Sequence, residues 1–194
     1  MLRCLVLAGS TRPRGNSLLL AGRAAELLRS YGVDAVVVEL RRLRISDCTG
    51  CRRCLAEGRC CLGDDMSRVL TPLLLGSSII IVSTPVYFDN VTALVKRFMD
   101  RTWCLRGRLR DRVLGAIAVG RGYGLDNAIG AVYRWGLKHE MIICHRGVRC
   151  RAYEAGEALR DTRALRDLEA MCKRLVEVAE RVWRGGAPPG PSEP

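Results

Sequence analysis

Five short runs of almost unbroken apolar residues punctuate the chain: CLVLAGS (4–10), DAVVVEL (34–40), SIIIVSTPV (78–86), VLGAIAVG (113–120) and MIICHRGV (141–148). Runs this short and this apolar predict strands buried on both faces, as in a parallel sheet. Between them the spacing changes from continuous to helical. Residues 16–31 start at an Asn/Ser cap and place Leu and Ala three and four apart. Residues 64–76 open on two aspartates, favourable at a helix N-terminus, with Pro72 making that helix irregular. Residues 91–103 and 127–140 follow, and 161–184 carries Leu165, Leu168, Met171, Leu175, Val178 and Val182 along one face. Strand–helix alternation repeated five times predicts a doubly wound α/β fold: five parallel strands in the order 2-1-3-4-5, right-handed crossovers, helices on both faces. Residues 1–184 are expected to form a single domain. The Gly/Pro-rich tail 185–194 is expected to be disordered.

In such a sheet, ligands bind where the strands end at their carboxyl side, beside the switch in strand order. That directs attention to the loops after strands one, three and four. The first, GSTRPRGNS (9–17), lacks both the triphosphate-binding G-x-x-x-x-G-K-[ST] and the dinucleotide G-x-G-x-x-G patterns. It offers Ser10, Thr11, Asn16 and Ser17 as polar groups, Arg12 and Arg14 as charge, and Gly15 for a tight turn into the next helix. A helix N-terminus so furnished favours a single phosphate; the plain alternative is an ordinary strand–helix turn. In the second loop, STPVYFDN (83–90), Tyr87 and Phe88 are adjacent aromatics in a chain with only 5% aromatic residues, placed to border a flat ring unless one of them is core. In the third, GRGYGLDN (120–127), three glycines around Tyr123 let backbone approach a planar ligand. Together the three loops describe a phosphorylated planar ligand.

Composition adds cysteines and positive charge. Half of the ten cysteines fall within DCTGCRRCLAEGRCC (47–61), in a loop expected to span 46–63. Cys48, Cys51, Cys54 and Cys60 read C-x2-C-x2-C-x5-C. Structural zinc usually takes two C-x2-C pairs set further apart, whereas a compact triplet with a fourth cysteine nearby suits a [4Fe–4S] cubane. Zinc, disulfides and free thiols remain the alternatives, and spacing does not separate Cys60 from Cys61, of which Cys60 is favoured. Arg52, Arg53 and Arg59 lie among these cysteines, where they would offset an anionic cluster. Cys4, Cys104, Cys144, Cys150 and Cys172 read as structural residues, and the two histidines, His139 and His145, as surface or packing residues. The N-terminus reads as a strand and not as a signal peptide, and no stretch is long and apolar enough to span a membrane, so the cytoplasm is expected. That compartment disfavours disulfides, although the absence of Gln, a thermophile trend, weakens the objection. The net charge is +12, but the arginines are dispersed and no basic–aromatic signature accompanies them, which disfavours nucleic acid and leaves an acidic protein partner open.

The segments LAGSTRPRGNS and STPVYFDNVTALVKRFMDRT resemble the NADPH-dependent FMN reductase family of flavodoxin-like proteins, over roughly residues 3–150. The resemblance implies FMN as cofactor. Ser10, Arg12, Asn16 and Ser17 would hold its phosphate, Thr84, Pro85, Val86, Tyr87 and Phe88 would line the isoalloxazine, and Gly120, Gly122 and Tyr123 would approach its far edge. The compact cysteine motif is similar to that of the iron–sulfur flavoproteins, a branch of the same family. That likeness implies a [4Fe–4S] cluster on Cys48, Cys51, Cys54 and Cys60, a homo-oligomer (dimer or tetramer), and a cluster of one subunit facing the flavin of another. The function so implied is electron transfer between cluster and FMN, with a redox protein such as ferredoxin as donor, a small molecule as acceptor, and no side chain needed as acid or base. The alternative is an NAD(P)H-dependent reductase of flavin or quinone without a cluster, and a third, unrelated possibility is a zinc-bearing nucleic-acid-binding module.

Overall fold

Strand β3 (Ile79–Pro85) runs through the middle of the sheet with every residue from Ile79 to Thr84 buried. In the computed structural model, which describes residues 1–183, it lies between β1 (Arg3–Ala8) and β4 (Val113–Gly120); β2 (Asp34–Glu39) flanks β1, and every pairing is parallel. With β5 (Ile142–Ile143) beside β4, the order β2-β1-β3-β4-β5 is the doubly wound arrangement expected from strand–helix alternation. The two-residue period sends Cys4, Val6 and Ala8 of β1 to one face and Leu5 and Leu7 to the other. Helices α1 (Asn16–Ser30) and α6 (Thr162–Val182) cover the first face. The second is covered by α3 (Thr71–Leu75), α4 (Ala93–Arg101) and α5 (Leu125–Lys138). A short α2 (Arg53–Glu57) lies in the cysteine-rich loop.

Three details depart from the expected pattern. The fifth strand is two pieces, β5 (Ile142–Ile143) and β6 (Val148–Arg151), both pairing with β4. Between them Gly147 adopts φ +85°, the Tyr133 hydroxyl donates to the His145 carbonyl at 2.7 Å, and the Gly147 amide donates to His145 Nδ1 at 3.2 Å. Local bonds thus replace the ladder there. The irregularity anticipated at Pro72 takes the form of a π-helical turn, Met66–Leu70, leading into α3, with Thr71 Oγ1 donating to the Met66 carbonyl. On α6 the inward stripe is Leu168, Met171, Cys172, Leu175, Val176 and Ala179, with Trp183 packing beyond it, while Val182 is exposed. The tail 185–194 lies outside the described residues. Among the described residues no helix is long and apolar enough to cross a membrane.

Candidate flavin cleft and cysteine hollow

At the carboxyl ends of β1, β3, β4 and β6 lies a cleft of about 220 Å³. Its first wall is the loop from β1 to α1. Ser10 Oγ donates to the Arg12 carbonyl (2.9 Å) and accepts from the Arg12 amide (3.1 Å), curling the loop into a tight turn. Gly15 closes it: a Cβ there would stand 2.1 Å from Ser10 Oγ, so only glycine lets the two segments meet. Gly15, not Asn16, occupies the cap position before α1. The amides of Thr11, Asn16 and Ser17 bond to nothing among the described residues, and the buried Ser17 hydroxyl is likewise unpartnered. Free N–H groups at a helix start, an orphaned hydroxyl and the adjacent Arg12 form a cradle that a phosphate group would complete. The residues present therefore fit the phosphate of a flavin mononucleotide.

Asn16 lines the cleft, but its side chain is already committed. Nδ2 donates to the Glu154 carbonyl at 2.8 Å, and Oδ1 accepts from the amides of Gly156 (3.0 Å) and Ala158 (3.3 Å). It therefore pins the segment after β6 onto α1. That segment brings Ala152 and Tyr153 into the cleft, and the Arg121 guanidinium stacks 3.6 Å from the Tyr153 ring centroid. Sequence reasoning named Gly15 for its turn and missed Val119, Arg121, Ala152 and Tyr153.

Pro85, Val86 and Tyr87 line the opposite wall, with Gly120 and Tyr123 beyond them. Thr11 Oγ1 and the Tyr87 hydroxyl meet at 3.0 Å, joining the first and second loops. Three residues expected at the ring are placed elsewhere. The Thr84 hydroxyl is buried, donating to the Pro85 carbonyl and accepting from the Thr92 amide. Phe88 and Asp89 form the tip of a tight turn, both at positive φ, closed by reciprocal bonds between Tyr87 and Asn90, so the Phe88 side chain stands fully in solvent. Gly122 faces a neighbouring depression, where the Arg151 guanidinium packs against it.

The cysteine-rich segment follows β2. Cys48, Cys51, Cys54, Cys60 and Cys61 all line one hollow of about 270 Å³, closed by Leu62, Arg101 and Trp103. Cys51 and Cys61 Sγ are 3.7 Å apart, and all ten cysteines are free thiols. Among the described residues no three His, Cys, Asp or Glu side chains converge on a point as they would around a single ion. Five thiols lining one hollow are the donor type that a thiolate-held iron–sulfur cluster takes. The Cys51 thiol is pulled below its ordinary value by the Arg53 amide, then by Cys61 and Thr49, whereas burial pushes Cys54 up. Cys104, read from sequence as structural only, lies just behind Cys60 and Cys61, and burial raises its pKa.

Arg101, at the end of α4, has a fully buried side chain. Its NH1 donates to the Ser46 carbonyl (2.7 Å) and Asp64 Oδ2 (2.6 Å); its NH2 donates to Asp64 Oδ1 (3.0 Å) and Cys60 Sγ (3.3 Å). Burial alone would raise the Asp64 pKa. The bonds from Arg101 and from the Ser46 and Met66 amides outweigh it and hold the carboxyl at about 2. The sequence marked Asp64 only as a helix-start aspartate and did not single out Arg101.

The pattern of the NADPH-dependent FMN reductase family matches residues 2–148. An iron–sulfur flavoprotein of Methanocaldococcus jannaschii is 31% identical over 192 residues, covering 93% of this chain and 99% of that protein. One from Archaeoglobus fulgidus is 31% identical over 196 residues, covering 92% and 96%. Among solved structures, RosB with a bound 8-demethyl-8-formylriboflavin-5'-phosphate intermediate superposes with TM-score 0.79 at 15% identity, covering 95% of this chain and 81% of that one. An apo NADH:FMN oxidoreductase superposes with TM-score 0.67 at 14% identity, covering 100% and 92%. The fold, the phosphate cradle and these likenesses converge: the chain belongs to the NADPH-dependent FMN reductase family, in its iron–sulfur flavoprotein branch, and is an FMN-dependent oxidoreductase.

Proposed function

We propose that this protein passes electrons between a [4Fe–4S] cluster held by Cys48, Cys51, Cys54 and Cys60 and FMN held in the cleft. The observation that carries the reading is the gathering of five thiols around one hollow on a chain that also builds a phosphate cradle. Bound there, the cluster supplies one-electron exchange and FMN one- or two-electron exchange. The chain's own residues bind and shield. The Ser17 hydroxyl and the amides of Thr11, Asn16 and Ser17 take the phosphate oxygens, and Arg12 adds positive charge. Val86 and Tyr87 on one side, with Gly120 and Tyr123 on the other, border the ring. Thr84 and Gly122 support that wall from outside the cleft, the Phe88 side chain projects into solvent at the turn tip, and Tyr153 under Arg121 closes the outer end. No side chain of the cleft is needed to move a proton. A net charge of +12 suits an acidic electron donor such as a ferredoxin, steered by long-range attraction. The acceptor is a small molecule. A homo-oligomer, dimer or tetramer, would bring one subunit's cluster to another's flavin.

The test is the iron, sulfide and FMN content of anaerobically purified protein, read with its absorption spectrum. About four irons and one FMN per chain is the expected result. FMN without iron or sulfide, even after anaerobic reconstitution, would overturn the cluster and leave an NAD(P)H-dependent flavin or quinone reductase.

A further inference from the structure

We propose that Arg101 is the positioning residue that makes Cys60 the fourth cluster ligand and, through its N–H···S bond, holds the cluster's reduction potential up. The inference rests on the cluster reading above and adds to it a residue from a distant helix.

Two adjacent thiols, Cys60 and Cys61, compete for one role, and their surroundings differ. Cys60 is partly buried and receives the Arg101 NH2 at 3.3 Å. Cys61 is exposed and rests against Cys51 Sγ. A side chain already held in one place loses less freedom on ligation than one free to rotate in solvent. Arg101 is held in its turn: Asp64 grips it with both oxygens, and NH1 also reaches the Ser46 carbonyl. One guanidinium thus ties the loop shortly before Cys48 and again shortly after Cys61, and spends a remaining donor on the sulfur between. The planar fork is what allows this; a lysine ammonium, a point charge on a flexible stem, could not hold both Asp64 oxygens and Cys60 in one plane.

The same bond has an electrostatic consequence. Adding an electron increases the negative charge on cluster and ligands, so a charge-assisted N–H donor on a ligand sulfur favours the reduced state. Arg101 is shielded from water, so its effect is weakly screened. The Asp64 carboxylate opposes it from the far side of the guanidinium. The pair therefore acts with two signs, and a role confined to holding the loop together would not.

The experiment is a potentiometric titration of the cluster, followed by its absorption and by electron paramagnetic resonance, in wild type, Arg101→Gln and Asp64→Asn, with iron content measured on each and on Cys60→Ser and Cys61→Ser. Arg101→Gln removes the positive charge and should move the midpoint to a more negative value. Asp64→Asn removes the opposing charge and should move it to a more positive one. Cys60→Ser should lose iron, while Cys61→Ser should keep the wild-type content. Where Arg101→Gln holds no cluster, Asp64→Asn carries the sign by itself. Midpoints that stay put or shift in the same direction, or iron lost with Cys61 and kept without Cys60, would overturn the inference while the cluster reading stands. A wild type without iron and sulfide would remove the cluster reading and this inference with it.

Discussion

Ser17 shows how one side chain can be an error in the empty protein and an asset in the loaded one. Its hydroxyl is buried at the start of α1 with no partner, and a buried unpaired polar group costs about 1–3 kcal/mol. A phosphate oxygen in the cradle would cancel that cost. Ser17→Ala is therefore expected to weaken FMN binding about tenfold, equivalent to about 1.4 kcal/mol, while leaving the apo protein as stable as wild type or more so. Flavin-fluorescence titration and thermal unfolding without FMN would check the two halves. A variant that lost apo stability would show the hydroxyl to be structural. The residue was found in the sequence because hydroxyls cluster in GSTRPRGNS; its lack of a partner appears only in the packed structure.

At the scale of elements, the start of α1 and the segment after β6 behave as one unit. Asn16 clamps that segment through three bonds to main-chain groups more than 130 residues away. Asn16→Asp would replace the Nδ2 donor with a carboxylate oxygen facing the Glu154 carbonyl, turning an attraction into a repulsion. The expected outcome is release of residues 153–158, with faster amide exchange at Gly156 and Ala158 and weaker FMN binding through loss of the Tyr153 wall. Hydrogen-exchange mass spectrometry on the apo protein separates this from simple repulsion of the phosphate, which would lower FMN affinity and leave exchange unchanged. The resemblance placed Asn16 at the phosphate, and a cap reading placed it at the helix start. Its role as a clamp was not legible, because its partners lie far along the chain and are backbone groups with no residue signature.

Over the whole molecule, pH stability should carry the mark of His139. The ring lies buried at the end of α5, where burial pulls its pKa from the ordinary 6.5 to about 4. Thr102 Oγ1 donates to the Met99 carbonyl and accepts from Trp135 Nε1, which assigns the ring proton to Nε2, 2.9 Å from that oxygen. The folded protein thus holds the neutral ring more strongly than the unfolded chain does. The resulting stabilisation is complete above pH 6.5 and is lost as pH falls towards 4, at a cost of about 3 kcal/mol, each unit being worth about 1.4 kcal/mol. Asp64, held at about 2, adds a further loss only below pH 3.8. Thermal unfolding from pH 7 to pH 4 should fall steeply for wild type and less for His139→Gln, which keeps a donor toward Thr102. Parallel curves would rule the histidine out.

The sequence by itself determined the layers and the strand order, and it directed attention to the loops at the carboxyl ends of the strands. Those follow from local periodicity: apolar runs can be buried on both faces only in a sheet covered on both sides, and the strand–helix alternation then leaves few topologies. It also displayed the polar groups of the first loop and the gathering of cysteines after β2, because both are written in contiguous residues. Tertiary structure decided everything that depends on distant parts of the chain meeting. It put Phe88 outside the cleft, since a turn with two positive φ angles rotates that side chain into solvent, and it brought Tyr153 inside, since Asn16 holds its loop. It split the last strand at Gly147. It also placed Arg101, one of many arginines in this basic chain, under Cys60: sequence records the charge, and only the packing of α4 against the cysteine-rich loop says that this guanidinium is buried, paired and aimed at sulfur.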